Sequence, residues 1–507
     1  MTSVMPIDGS DLFDRLETLI KSQSGDTQTI NQIIADLGAS VVSLGVLNDG
    51  HISTKVFGGG SSSSTGDSSS KQTSSAYDKD TLFQACSISK PISALAVIKL
   101  CQEGILDLDA PISQYLSPEQ LSWMSTPKTQ HLVSEITLRN LLSHTSGLSC
   151  HGFDGYADHK GDIPSLEQTL RGEAPANNEP VKLSTFPGQK YEYSGGGYQV
   201  IQLILETQLK KPFPKIMKEL ILDPLGMDSS TYEFIGSEEL NYAPVYLTGR
   251  QKAYVEYHLM PESAAAGLWT TPEDLLKVIH AVQCSLSSGD ILERKWAEIM
   301  VTEIEDNEMA LGWMKKKDTV VFAHWGYNSP GYISYFAGFL GAGTPASTDE
   351  IVGGGTEEGK DVKLCGVAIM TNSALGVPLM KKIVQAVSYL MGWPSLYQKF
   401  DLGFGDRSRV VDGRAREWCG RWRKEKGVRE WVIDEGDEGG LILCCGELPA
   451  VELITAAVQP KMCKEGRTIN LVADGLEIML RLMWKDGKKV VELWLKGGVG
   501  GFLERVQ

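Results

Sequence analysis

The chain contains no apolar run approaching the ~20 residues that a membrane-spanning helix requires, so no span is expected anywhere in its 507 residues. It has no Cys-x-x-Cys pair. Its nine cysteines are odd in number and scattered without framework spacing, which excludes a disulfide scaffold and a cysteine-rich zinc site and reads as reduced thiols. The first twenty residues show no basic segment followed by an apolar one, so no secretory signal is read there; with the reduced thiols this predicts a cytoplasmic protein. Internal repeats are also missing. Positive charge is short: 48 Lys and Arg stand against 64 Asp and Glu, a net −16. Polyanions, both nucleic acid and anionic membrane, are therefore disfavoured as partners. The deficit is local. Residues 401–507 hold 18 acidic and 18 basic residues, so residues 1–400 carry 46 against 30 and the whole of the −16. What remains is ordinary core material, 42% hydrophobic, in a chain too long for one hydrophobic core.

Several elements can be read along the chain. Residues 10–22 show helical spacing of Leu12, Phe13, Leu16 and Leu19. Two strand-like runs, ASVVSLGVL and HISTKVFG, flank Asn48-Asp49-Gly50, a hairpin turn signal. Low-complexity polar stretches at 58–75 and 341–361 read as loop insertions, the second inside a long hairpin. From Thr81 to about Pro394 helices and loops alternate, with strands returning near 319–340 and 363–372. Beyond about 405 come short strand-like runs: REWVIDE, GGLILCC with the adjacent Cys444-Cys445, RTINLVAD, LEIMLRLMW, KVVELWLK and GGFLERV. Five of the 11 tryptophans fall beyond residue 405. The organisation predicted is an α+β domain over 1–397 and an antiparallel β-barrel or sandwich over 398–507.

The sharpest chemical signal lies in TLFQACSISKPISALAVIKLCQEGILDLDAP, which contains Ser87-Ile88-Ser89-Lys90 at the head of an apolar helical stretch. Residues three apart share a helix face, so the Lys90 amine can reach the Ser87 hydroxyl. A serine at a helix start has a free backbone N–H that can hold an oxyanion. The lysine must be partly desolvated to act as a base. About a hundred residues on, FPGQKYEYSGGGYQVIQLI presents Tyr193-Ser194-Gly195, with Tyr191 as a competing tyrosine. Further on, VFAHWGYNSPGYISYFAGFL presents His324-Trp325-Gly326 on a strand-like run. Glycine there lets the strand backbone approach a substrate.

These three motifs, in this order, resemble those of the serine β-lactamase-like family that includes class C β-lactamases, D,D-carboxypeptidases, D-aminopeptidases and carboxylesterases. LLSHTSGL, HGFDGY, ILDPLGMDSSTY and AAAGLWTTPEDLLKVI extend the resemblance over nearly all of 10–394, and YSGGGY is similar to a subset with glycine where the family has asparagine. The resemblance implies a β-lactamase/transpeptidase-like domain, an antiparallel sheet flanked by helices with a helical subdomain. It implies Ser87 as nucleophile and Lys90 and Tyr193 as its bases. Gly195, His324, Trp325, Gly326 and the Tyr327 N–H would then border substrate or oxyanion. Gly195 lacks the amide with which the lactamase and carboxypeptidase branches contact substrate, and His324 in place of lysine points towards esterases and D-aminopeptidases. His144 is read as a structural residue bonded within its own loop.

Rival constellations are weaker. Cys86 beside Ser87 has no signature of a cysteine nucleophile. Cys150, His151, Asp154, His159 and Asp162 fit no zinc spacing and read as loop polarity, and Glu303, Glu305 and Asp306 read as a solvated face. The function expected is a serine hydrolase or acyltransferase acting on a small-molecule ester, lactone or amide through an acyl-Ser87 intermediate, with no metal or organic cofactor. The alternatives are a D-aminopeptidase-type amidase and a silent ligand-binding or assembly protein of the same fold. The C-terminal β module is a candidate contact for a homo-oligomer.

Overall fold

The protein was analysed as a computed structural model that describes residues 9–23, 28–36, 41–58, 77–157, 162–234, 241–245, 256–304, 308–315, 319–340, 364–373, 376–393 and 415–423, and the C-terminal strands between 430 and 505. Apart from Gly58, the two low-complexity insertions lie outside these residues. So do His159, Glu305 and Asp306. Among the described residues, no helix is long and apolar enough to cross a membrane.

Two compact units are present: Ile30–Met380, and a second made of Met1–Thr29 with Lys381–Gln507. The first is built on a six-stranded antiparallel sheet. Its strands are β1 (Val41–Asn48), β2 (His51–Gly58), β5 (Met314–Lys315), β6 (Val321–Asn328), β7 (Tyr332–Phe339) and β8 (Cys365–Thr371), in the order β2-β1-β8-β7-β6-β5. A separate pair joins β3 (Phe83–Gln84), just ahead of Ser87, to β4 (Trp269–Thr270). The β1–β2 turn has Asp49 at φ 50° and Gly50 at φ 81°. Two consecutive positive φ values are what a two-residue hairpin of matching twist requires, which is why Asp-Gly stands there.

One face of the sheet is covered by helix Pro272–Ser287. Glycines in β1, β7 and β8 form a shallow bed for it: a β-carbon at Gly45 would meet Leu276, and one at Gly338 or Gly366 would meet Ile279. Helix Ser89–Gln102 is buried along nearly its whole length, as its lack of a polar stripe requires. It packs against helices Ser263–Ala266 and Arg294–Val301. Under β6 and β7, Trp313 stacks on Phe336 with centroids 5.0 Å apart and meets Phe322 edge-on at 4.9 Å. That aromatic cluster holds the strand that carries His324.

In the second unit, helix Gly9–Gln23 buries Leu12, Phe13, Leu16 and Ile20. Leu19 is only half-buried, because the i+4 step from Leu16 brings Ile20, not Leu19, into line. The C-terminal strands are β9 (Gly420–Arg423), β10 (Glu430–Glu435), β11 (Leu441–Cys445), β12 (Val451–Thr455), β13 (Ile469–Ala473), β14 (Met479–Lys485), β15 (Lys488–Leu495) and β16 (Gly498–Arg505). Each pairs antiparallel with the next, and β16 returns to β9 to close the ring. Trp422 is buried in it, donating its indole N–H to the Trp418 carbonyl at 3.1 Å and stacking on that ring.

Candidate active site

From Thr81 to Ile98 every residue is buried except Ser87. The chain leaves β3, passes through Cys86 at φ 55°, makes a single 3₁₀ turn over Cys86–Ile88 and enters helix Ser89–Gln102. Cys86 is a non-glycine residue in the left-handed region, and such positions persist where the surroundings enforce them. The enforcement is visible. Ser89 donates its hydroxyl to the Cys86 carbonyl at 2.7 Å and accepts the Leu268 N–H at 3.1 Å. The Ala85 N–H donates to Leu268 O at 2.8 Å. The Cys86 thiol is fully enclosed and pushed far up by burial, which leaves it no part as a nucleophile.

The Lys90 amine lies 3.1 Å from Ser87 Oγ and donates to the Ala265 carbonyl at 2.8 Å. It is 2% exposed, and burial lowers it to about 7. With the Ala265 carbonyl taking one N–H, an uncharged amine keeps its lone pair for the Ser87 proton. Ala265 comes from helix Ser263–Ala266, within the AAAG stretch. Glu262, at the head of that helix, is fully buried with both carboxyl oxygens unpartnered among the described residues, and burial raises it to about 8. Its carboxyl is therefore protonated at neutral pH and adds no charge.

Enclosure by protein raises the Tyr193 phenol, so it keeps its proton. The Lys90 amine sits 5.1 Å from the Tyr193 ring centroid. Tyr191 stands further out, 39% exposed and edge-on to His144. His144, expected to be bonded within its own loop, instead reaches another: it accepts the Ser194 N–H on Nδ1 at 3.1 Å and stacks on Tyr193 with centroids 4.2 Å apart. This fixes its proton on Nε2, and burial lowers its basicity so that the ring is neutral. No sequence signal marked the contact, which joins positions fifty residues apart.

The helix Gly195–Leu209 is capped by Ser194, whose hydroxyl accepts the Gly197 N–H at 2.9 Å. The Gly195 and Gly196 N–H groups donate to the His151 and Cys150 carbonyls at 3.2 and 3.0 Å. Gly195 is buried beneath the loop of HGFDGY. A β-carbon on it would stand 2.8 Å from the Phe153 ring and 3.1 Å from His151 O.

On β6, side chains alternate. His324, Gly326 and Asn328 point inward, while Trp325 and Tyr327 face the other way, 45% and 46% exposed. His324 is fully buried with Nδ1 2.7 Å from the Trp325 carbonyl and Nε2 unpartnered among the described residues. Burial lowers it to about 3, with the Lys90 charge acting in the same direction. It is neutral at any ordinary pH, and its ring centroid lies 6.4 Å from that of Tyr193. Gly326 touches the nucleophile segment directly: a β-carbon there would fall 2.4 Å from the Ser87 nitrogen. Asn328, not singled out in the sequence, donates to Gln84 at 2.7 Å and to the Ala266 carbonyl at 3.1 Å. It thus ties β6 to the segments carrying Ser87 and holding Lys90.

A lysine within hydrogen-bond distance of a serine at the end of a buried helix, a tyrosine ring beside that lysine and a glycine strand pressed against the serine are now placed. Residues 27–381 match the family profile described as Beta-lactamase. The chain belongs to the beta-lactamase family. Among curated relatives, the esterase EstB of Burkholderia gladioli is 29% identical over 245 residues, covering 41% of this chain and 58% of the esterase. The chain thus spans less than two thirds of that relative's length. Among solved structures, the octameric penicillin-binding protein homologue from Pyrococcus abyssi superposes with a TM-score of 0.56 at 20% identity, over 97% of this chain and 100% of that one. The D-amino acid amidase from Ochrobactrum anthropi SV3, complexed with L-phenylalanine amide, gives 0.53 at 19% identity, over 75% and 99%. At these identities the likeness shows the fold: the beta-lactamase-family chain has a transpeptidase-like arrangement of helices about an antiparallel sheet.

Proposed function

We propose that this beta-lactamase-family chain is a serine hydrolase or acyltransferase that acts on a small-molecule ester, lactone or amide through an acyl-Ser87 intermediate. The observation that carries this reading is the buried Lys90 amine, lowered to about 7 and 3.1 Å from Ser87 Oγ. Ser87 Oγ attacks the acyl carbonyl as its proton passes to Lys90 Nζ. The oxyanion is held by the Ser87 and Tyr327 N–H groups. Tyr193, still protonated, gives its proton to the leaving oxygen or nitrogen and recovers one from Lys90 as the old acyl bond breaks. Water, or an acceptor alcohol or amine, then attacks the ester and regenerates Ser87.

Ester substrates are favoured. His324 is neutral and offers no cation to a substrate carboxylate. Exposed Tyr191, edge-on to His144, offers apolar surface for an acyl chain or leaving group. The module 398–507 is read as a small antiparallel β-barrel, and self-association through it is a further proposal, prompted by the octameric fold relative and testable by solution mass.

Treatment with a fluorophosphonate is expected to add one adduct by intact mass, at Ser87, and none to Ser87→Ala. Full turnover of p-nitrophenyl esters by that variant would sink the reading. D-aminoacyl anilides and nitrocefin assayed beside them separate the amidase and lactamase branches. The pH profile follows from Lys90. Its uncharged form is the base, so kcat/KM is expected to rise about tenfold between pH 6 and 8 and then level off. A flat profile across that window would assign the base elsewhere.

A further inference from the structure

Gly195 occupies the position at which the related motif carries an asparagine, and the structure shows what stands in the missing side chain's space. The Phe153 ring lies 2.8 Å, and the His151 carbonyl 3.1 Å, from where a β-carbon would be. The Gly195 N–H is committed to that carbonyl. The loop is tied down at several points. Cys150 sits at φ 71°, the Asp154 carbonyl is 2.6 Å from His258 Nδ1, and the Gly155 carbonyl accepts from Asn177 at 2.9 Å. Tyr156 exchanges backbone hydrogen bonds with Leu259. The loop so held presents an exposed His151, whose ring centroid is 4.8 Å from that of Tyr193. Tyr193 in turn lies beside Lys90, whose amine is 5.1 Å from its ring centroid. Tyr193 is therefore in contact with two histidines, the buried His144 and the solvent-facing His151.

We propose that the loop 151–153 replaces the side chain absent at 195: Phe153 fills its volume, and His151 forms a substrate subsite. There the imidazole N–H would donate to an oxygen acceptor (an ether, carbonyl or carboxylate oxygen) a few bonds along the acyl chain from the scissile carbonyl. This rests on the acyl-Ser87 reading above and specifies its substrate class as oxygen-bearing acyl groups. A polar site that recognises such an atom loses its preference when the donor is removed, whereas one that only encloses the chain does not.

The test uses an isosteric pair, p-nitrophenyl 3-methoxypropanoate and p-nitrophenyl pentanoate, in which one ether oxygen replaces one methylene. Taking the ratio of their kcat/KM values in each protein cancels their different intrinsic reactivities between variants. His151→Ala is expected to lower the methoxypropanoate-to-pentanoate ratio about five- to tenfold, and His151→Gln, which keeps a donor, to restore most of it. Gly195→Ala, which must displace Phe153 and the His151 carbonyl, is expected to move the ratio in the same direction. Fluorophosphonate labelling runs alongside. Normal Ser87 labelling with an unchanged ratio in His151→Ala overturns the subsite and leaves the hydrolase reading standing. Absence of labelling in the unaltered protein overturns both.

Discussion

Exchanging Lys90 for methionine is expected to lower kcat/KM for a p-nitrophenyl ester by about 10²–10⁴, the range associated with loss of a positioned proton acceptor. Methionine keeps the length and apolar stem of lysine in a space where the amine is 2% exposed. The change therefore removes the proton acceptor with little change of volume. Two opposing effects act on stability. The Ala265 carbonyl, which accepts from Lys90 at 2.8 Å, loses its donor, a cost of about 1–3 kcal/mol if nothing replaces it. Against this, the folded protein no longer has to desolvate an amine whose charged form burial disfavours. The two offset one another, so the melting temperature is expected to stay within a few degrees while turnover collapses. Initial rates and a thermal melt on the same preparation check this. A variant with near-normal turnover would show that Lys90 is not the base, whatever its position.

The second large effect is expected at Gly326. An added β-carbon would lie 2.4 Å from the Ser87 nitrogen, 2.6 Å from the Cys86 β-carbon and 3.1 Å from the Ala85 carbonyl. Neither side of that contact can yield easily. β6 is paired along its length with β7, from Val321↔Phe339 to Asn328↔Tyr332. The opposing segment is bound to the same sheet, since Ser334 of β7 donates to the Ala85 carbonyl. Asn328 adds a bridge from the end of β6 to Gln84. Gly326→Ala is therefore expected to cost about 1–3 kcal/mol as an overpacking substitution. By shifting the nucleophile by as much as about 1 Å, it should also reduce kcat/KM about 10²-fold. Gly45→Ala serves as the comparison. Its nearest contact is the Leu276 side-chain end at 2.8 Å, in the bed under helix Pro272–Ser287, so it can lose stability without losing rate. Equal rate losses in the two variants would mean that the closeness of Gly326 to Ser87 has no catalytic meaning.

The parts of the site legible in sequence are those in which local spacing dictates geometry. Ser87 and Lys90 meet because they are one helical turn apart. The Asp49-Gly50 hairpin was readable because its residues favour the two positive φ values it adopts. Tyr193 is separable from Tyr191 in the sequence only by motif register; the Lys90 amine lies 5.1 Å from the Tyr193 ring centroid, while Tyr191 is exposed. What stayed hidden depends on contacts across long stretches of chain. The acceptor that positions Lys90 is a backbone carbonyl 175 residues away, and a carbonyl leaves no signature in an alanine run. The sequence reading bonds His144 within its own loop, whereas its Nδ1 accepts the Ser194 N–H from fifty residues on. Asn328 and Gln84, 244 positions apart, belong to no motif. His151 looked like loop polarity because nothing in HGFDGY says that it closes over the start of a helix some forty residues later. Phase errors were small and had the same origin: Leu19 and Ile20 are both apolar, and only packing decides between them.

The contact between Phe153 and Gly195 also constrains the order in which the sequence can change. A side chain at 195 must push the ring at 153 out of place, because its first carbon would already be 2.8 Å from that ring. Shrinking position 153 first opens the space, and only then does growth at 195 become tolerable. Descendants of this chain can gain a polar group at 195 more readily by that order of mutations than by the other. The two positions are thus epistatic, and surveys that mutate them singly will score 195 as intolerant while missing that a smaller residue at 153 relieves it.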